Sequence, residues 1–212
     1  MEPAVSFRDY AVVACGTMSP ELNYLRATGF LDVRKVLYTK PGLHQEPLEL
    51  ERQLVQKIGL AKTYASKIIV VYGGKYCYIN TADPYRHIDT ILEEQKKDGI
   101  SISRINAEKC VDMLTTSEER EAISRGEKMY WLTPGWLKYR FHVFKDWDKA
   151  TANTNFPQYT GGAVLLDPIG FFNRYTAERP EELLDFCDWM GIPLEPSPVT
   201  LKRLKKLLAE LV

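Results

Sequence analysis

The chain has 212 residues, of which 45% are hydrophobic and 26% charged, enough for one sizeable core. Lys plus Arg and Asp plus Glu each number 28, so the formal charge is zero. That balance excludes a long-range field recruiting nucleic acid or an anionic membrane, and any charged ligand must be met locally. No apolar run approaches the ~20 residues of a membrane span, and the N-terminal stretch lacks the basic and apolar regions of an export signal. A cytoplasmic protein is expected. Its four cysteines form no Cys-x-x-Cys pair and are expected to be reduced thiols.

Taken in order, Tyr10-Ala-Val-Val-Ala14 is an apolar strand ending at Cys15-Gly16, and Ser19-Pro20-Glu21 starts a helix with a cap, a first-position proline and a first-turn acid. A second strand over 33–38 leads into Lys40-Pro-Gly-Leu-His44. Pro47 then opens a helix whose Leu50, Leu54, Ile58 and Ala61 recur at helical spacing. Lys67-Ile-Ile-Val-Val71 has no polar alternation inside it, which predicts a parallel strand buried on both faces. It stops at Tyr72-Gly73-Gly74 and delivers Cys77. Asp83-Pro84 is expected to cap a helix ending at Asp98-Gly99. A strand over 100–105 follows and leads to Cys110.

Repeated strand-helix alternation predicts an α/β fold: a mostly parallel, Rossmann-like sheet of about five or six strands flanked by helices, in one domain. The carboxyl ends of such strands line one edge. Cys15, His44, Cys77 and Cys110 all follow strands, so they are expected at a common crevice. Three soft thiolates and one imidazole form a recognised tetrahedral zinc shell, and thiolates equally hold iron-sulfur clusters. Their wide spacing is unlike that of short zinc ribbons, so placement carries the reading. Buried cysteines are also ordinary small hydrophobes. Cys187, on one helical face with Leu183, Phe186 and Met190, is expected to be of that kind. His87 is the alternative imidazole, and His142 is expected on a helix.

After a charged helix over 116–125, Tyr130-Trp-Leu-Thr-Pro-Gly-Trp136 reads as a strand, a tight turn and a helix start. Trp131 and Trp136 supply an apolar wall. Thr133, Gly135 and the helix-start amides either receive an anionic group or form a structural corner. Residues 147–162 are expected to form a lid or insert. A strand over 163–166 ends at Asp167, which is either a base or metal-supporting residue, or a turn former. Pro180 opens the helix carrying Cys187, Gly191 stops it, and 193–198 is expected to be a stiff linker. The last segment, over 199–212, sets Leu201, Leu204, Leu207, Leu208 and Leu211 against lysines and arginine as a basic amphipathic helix that docks on the body or a partner. No phosphate-loop or dinucleotide fingerprint occurs.

Ala14-Cys15, Leu43-His44 with Pro47 after it, Tyr72-Gly73 with Cys77, Cys110, and above all Tyr130-Trp-Leu-Thr-Pro-Gly-Trp136 give the chain a resemblance. It resembles the family catalogued as domain of unknown function 1638, with more residues between Gly73 and Cys77 than the family turn. The resemblance implies a role in anaerobic one-carbon or corrinoid-dependent methyl-transfer metabolism, with a corrinoid protein or methyltransferase as partner. It names neither substrate nor reaction. The alternative expectation is a non-catalytic module that binds a small molecule or a corrinoid protein, its crevice lined by Tyr72, Tyr76, Trp131 and Trp136, or an assembly factor docking through its last helix.

Overall fold

The uninterrupted β-branched runs form a parallel sheet covered on both sides. A computed structural model describes residues 5–97 and 99–212; Met1 to Ala4, and Asp98 at the expected helix end, lie outside the described residues. The strands β1 (Tyr10–Ala14), β2 (Lys35–Tyr38), β3 (Lys67–Val71) and β4 (Ser101–Arg104) pair in parallel in the order β2-β1-β3-β4. The helices between them are α1 (Ser19–Ala27), α2 (Pro47–Ala61) and α3 (Ile88–Gln95). Alternate residues face opposite layers. Val12, Ala14, Ile69 and Val71 join a cluster with Leu22 and Leu25 of α1, while Ala11, Val13, Ile68 and Val70 pack with Leu50, Leu54 and Ile58 of α2. Each Val, Leu or Ile side chain removed from water here contributes about 1.5–3 kcal/mol.

The order β2-β1-β3-β4 has one physical consequence. From β1 the chain runs outward to β2 and then returns to the other side of β1 as β3. The connections on the two sides therefore diverge at the β1/β3 boundary, which opens a crevice at the carboxyl ends of those strands. Cys15 leaves one and the Gly73–Gly74 turn leaves the other.

The α/β class with parallel strands is as expected, whereas the number and grouping of strands differ. Among the described residues, seven strands form two sheets instead of one sheet of five or six. After α4 (Ser117–Ser124) the chain starts a second parallel sheet, ordered β5-β6-β7, from β5 (Tyr130–Leu132), β6 (Ala163–Asp167) and β7 (Leu194–Pro198). β7 is the segment expected to be a linker. Its prolines lack amide donors, but as an edge strand it needs ladder bonds only toward β6. The helices of this half are α5 (Pro134–Lys138), α6 (Arg140–Val143), α7 (Lys149–Asn155), α8 (Phe171–Glu178), α9 (Pro180–Met190) and α10 (Lys202–Ala209).

β6 ties the halves together. Val164 and Leu166 join the cluster beneath the first sheet, and Ala163 and Leu165 belong to a third cluster among α5 to α9. The 147–162 stretch holds α7, with Ala152 and Phe156 buried in that third cluster. The helix expected from Asp83-Pro84 starts later, at Ile88, because His87 is its cap: His87 Nδ1 accepts from the Thr90 amide at 3.4 Å. The terminal amphipathic helix docks on the body. Leu204, Leu207 and Leu208 are buried, and Arg203 Nε donates to the Asp112 carbonyl at 2.6 Å. Among the described residues, no helix is long and apolar enough to cross a membrane.

α4 starts with a capping box in which Thr116 Oγ1 accepts from the Glu119 amide at 3.2 Å and the Glu119 carboxylate accepts from the Thr116 amide at 2.7 Å. Thr116→Ala is expected to lower stability by about 1 kcal/mol in urea unfolding. An unchanged midpoint would show that α4 frays in solution.

Candidate functional site

The four strand-end residues meet at one cavity. Cys15, His44, Cys77 and Cys110 line a crevice of about 420 Å³ together with Trp131 and Trp136. The volume suits a small molecule.

Cys15 follows β1 directly. Its amide donates to the Val71 carbonyl at 3.1 Å, and its sulfur lies 3.0 Å from Thr17 Oγ1. Cys77 ends a short 3-10 turn, Lys75–Cys77, and its amide donates to the Gly74 carbonyl at 3.0 Å. The glycine pair before it allows close packing. A Cβ on Gly73 would lie 2.5 Å from the Cys77 sulfur, and the Gly74 amide donates to the Glu108 carbonyl at 3.1 Å. The residues between glycine and cysteine thus form a turn tied to the segment after β4, and Cys77 still reaches the cavity. Cys110 lies at the end of that segment. His44 is in the turn Leu43–Gln45, its ring stacked on Trp136 with centroids 5.3 Å apart.

Burial dominates the electrostatics here. It raises the Cys15 thiol pKa and pushes Cys77 up to about 12, with the neighbouring Cys15 adding to the shift. Cys110 is raised further, by burial and then by Cys77 and Cys15, with a Trp136 hydrogen bond opposing. Each thiol is therefore close enough to feel another's charge, and all stay protonated at neutral pH. Burial lowers the His44 pKa, leaving a neutral ring. A bound cation would reverse the thiol balance by stabilising the thiolates, and a neutral imidazole is the ligand form of histidine.

The donor types thus fit zinc or an iron-sulfur centre. Their positions are those of an open crevice: among the described residues, no group of three or more His, Cys, Asp or Glu side chains is gathered to hold a metal ion. Loading would require the thiols to turn toward one point.

The other sequence candidates divide. Tyr72 is buried, its hydroxyl bonded to Thr39, and Tyr72, Gly73, Trp131 and Trp136 all line the crevice. Thr133 and Gly135 lie outside its lining. Thr133 caps α5 without a side-chain hydrogen bond, and its buried Oγ1 has no partner among the described residues. A Cβ on Gly135 would overlap the Thr17 carbonyl, so this glycine seats α5 against the turn after β1. Asp167 is committed to the chain: Oδ1 accepts from the Ile169 and Phe171 amides at 3.1 and 2.9 Å, and Oδ2 from Phe172 at 2.8 Å. These bonds form the turn into α8. His87 is committed to capping α3. Cys187 packs half-buried against the third cluster.

In the sequence Glu21 reads as an ordinary first-turn acid, and the fold makes it something else. It is 0% exposed, and neither carboxylate oxygen has a partner among the described residues. Burial, with a contribution from Asp167, raises its pKa to about 8, and its charge reaches Cys110. The available signal was spacing, since Met18, Glu21, Leu22 and Leu25 share one helical face. Met129, Tyr130 and Tyr159 also line the crevice without having been singled out, as do Lys109 and Arg120.

A family model described as "Protein of unknown function (DUF1638)" matches residues 38–208. That span is most of the chain, and the chain belongs to this family. No curated protein and no solved structure matches it.

Proposed function

We propose that this member of the DUF1638 family is a metal-binding α/β protein, with Cys15, Cys77, Cys110 and His44 as the ligands of a zinc ion or an iron-sulfur cluster. The observation that carries the reading is the arrival of three thiols and one neutral imidazole, from four different strand ends, at one cavity. When bound, zinc supplies a Lewis acid, and a cluster supplies electron transfer or an open iron. The protein's own residues do the rest. Trp136 holds the His44 ring by stacking, Thr17 and Tyr72 orient Cys15, and the Gly73–Gly74 turn brings Cys77 inward.

The family resemblance supplies the setting, anaerobic one-carbon or corrinoid-dependent methyl transfer with a corrinoid protein or methyltransferase as partner, and a cytoplasmic location is proposed with it. The crevice lining adds a chemical preference. Lys109 lines the crevice without an ion pair among the described residues, whereas Arg120 is neutralised by Asp112 at 2.6 Å, so Lys109 is the cation left to meet a ligand carrying a negative group.

Elemental analysis of protein purified without oxygen tests the reading. We expect zinc or iron in the parent and in Cys187→Ala, and loss of it in Cys15→Ala, Cys77→Ala and Cys110→Ala. Metal-free, folded parent protein would overturn it. A second reading, a non-catalytic binding module for a small molecule or corrinoid protein, is favoured by the aromatic wall of Tyr72, Tyr76, Trp131 and Trp136. It predicts ligand binding that does not depend on the thiols.

A further inference from the structure

Helices α6 and α9 enclose a second cavity, of about 430 Å³, separate from the thiol crevice and lined by Phe141, Phe144, Trp147, Phe186 and Trp189. The rings pack on one another: Phe186 stacks on Trp189 with centroids 5.7 Å apart, and Phe144 lies 5.6 Å from Trp147 and 5.2 Å from Trp189. Phe141 at the rim is 73% exposed. Aromatic faces are electron-rich, and a cation sheltered between several of them is attracted without needing a hydrogen bond.

The charges around the cavity point the same way. Arg140 is 5% exposed and lies over Phe141 at 4.2 Å, so this wall already supports one cation, and Glu182 neutralises it at 2.7 Å. Lys145 is paired with Glu46 at 2.5 Å. Asp185 is the lining carboxylate with no ion pair among the described residues. Glu182 also pairs with Arg179 at 3.1 Å, so Asp185 is the carboxylate left to meet a bound cation, and it lines the cavity with the aromatic side chains. The cavity volume is that of a small-molecule site, whereas a stable protein partner needs on the order of 1,000 Å² of interface.

We propose that this cavity binds a small organic cation of the quaternary-ammonium type, with the methyl-bearing nitrogen against Trp147 and Trp189 and Asp185 as counter-charge. The cavity shares no lining residue with the thiol crevice, so the test uses full-length protein stripped of metal. Choline chloride is titrated by calorimetry and tryptophan fluorescence, in parallel with its neutral isostere 3,3-dimethylbutan-1-ol. We expect choline to bind about 10-fold more tightly than the isostere, as a sheltered cation–π contact implies. The exposed-residue variants Phe141→Ala and Asp185→Asn should keep the parent melting temperature and weaken choline binding several-fold. The proposal is overturned by absence of saturable choline binding, by equal affinity for the isostere, or by binding that both variants leave unchanged.

Discussion

Gly135→Ala is expected to be among the most damaging single substitutions in this chain, lowering stability by about 4 kcal/mol or more, an effect confined to a few mechanisms such as forced backbone overlap. A methyl group there would overlap the Thr17 carbonyl oxygen and lie 2.5 Å from its carbonyl carbon, and both atoms belong to main chain that cannot rotate aside. Thr17 sits in the turn after β1 and Gly135 in the first turn of α5, so the contact joins the first sheet to the second. Trp136, the next residue, would move with α5 and draw its ring away from His44. Urea unfolding and near-ultraviolet circular dichroism measure both effects. A loss below about 1 kcal/mol, with the tryptophan signal intact, would mean that α5 is free to shift and that the two halves are not held in register here.

Glu21→Gln is expected to change the pH dependence of stability more than its magnitude at any acidic pH. In the folded chain, burial raises the Glu21 pKa from 4.5 to about 8. Between those values the unfolded chain has lost a proton that the folded chain retains. Stability attributable to Glu21 therefore falls as pH rises across this window, by up to about 1.4 kcal/mol per pH unit, and levels off above it. Gln cannot ionise and removes that slope. The two proteins should be similar near pH 4.5 and diverge toward pH 8, with the variant the more stable, by an amount on the order of several kcal/mol. Denaturant unfolding at pH 5, 6.5 and 8, roughly spanning the window, decides the matter. Parallel profiles would show that Glu21 ionises normally and that water reaches its carboxylate.

The parts of the fold legible in the sequence were those in which one physical signal acts alone. β1 and β3 are unbroken apolar runs with abrupt ends, and α2 has a first-position proline and an unambiguous apolar stripe. Legibility failed where two signals compete. In β7 the prolines argue for a linker, and only the tertiary fact that the strand is an edge reconciles them with a sheet. α8 follows Asp167-Pro168-Ile-Gly170, a turn whose residues mask the helix behind it. Division into two sheets depends on which strands pair, which single-chain periodicity does not encode.

The site divides in the same way. Cys15, His44, Cys77 and Cys110 were legible because strand polarity fixes where their loops emerge, whatever the side chains do. The Thr-Pro-Gly-Trp segment was legible as a turn but mixed in role: Trp136 faces the crevice, while Thr133 and Gly135 serve the junction behind it. Glu21 was illegible because a first-turn acid normally faces solvent, and its burial comes from α5 closing over α1.

Whether the three thiols act as one centre is tested most directly by alkylation mapped residue by residue. Anaerobically reduced, metal-free protein is treated with iodoacetamide with and without one equivalent of zinc or cadmium, and modification is read by peptide mass spectrometry. The account predicts that one ion per chain protects Cys15, Cys77 and Cys110 together while Cys187 reacts as before. Independent reaction of the three cysteines, unaffected by metal, would contradict it.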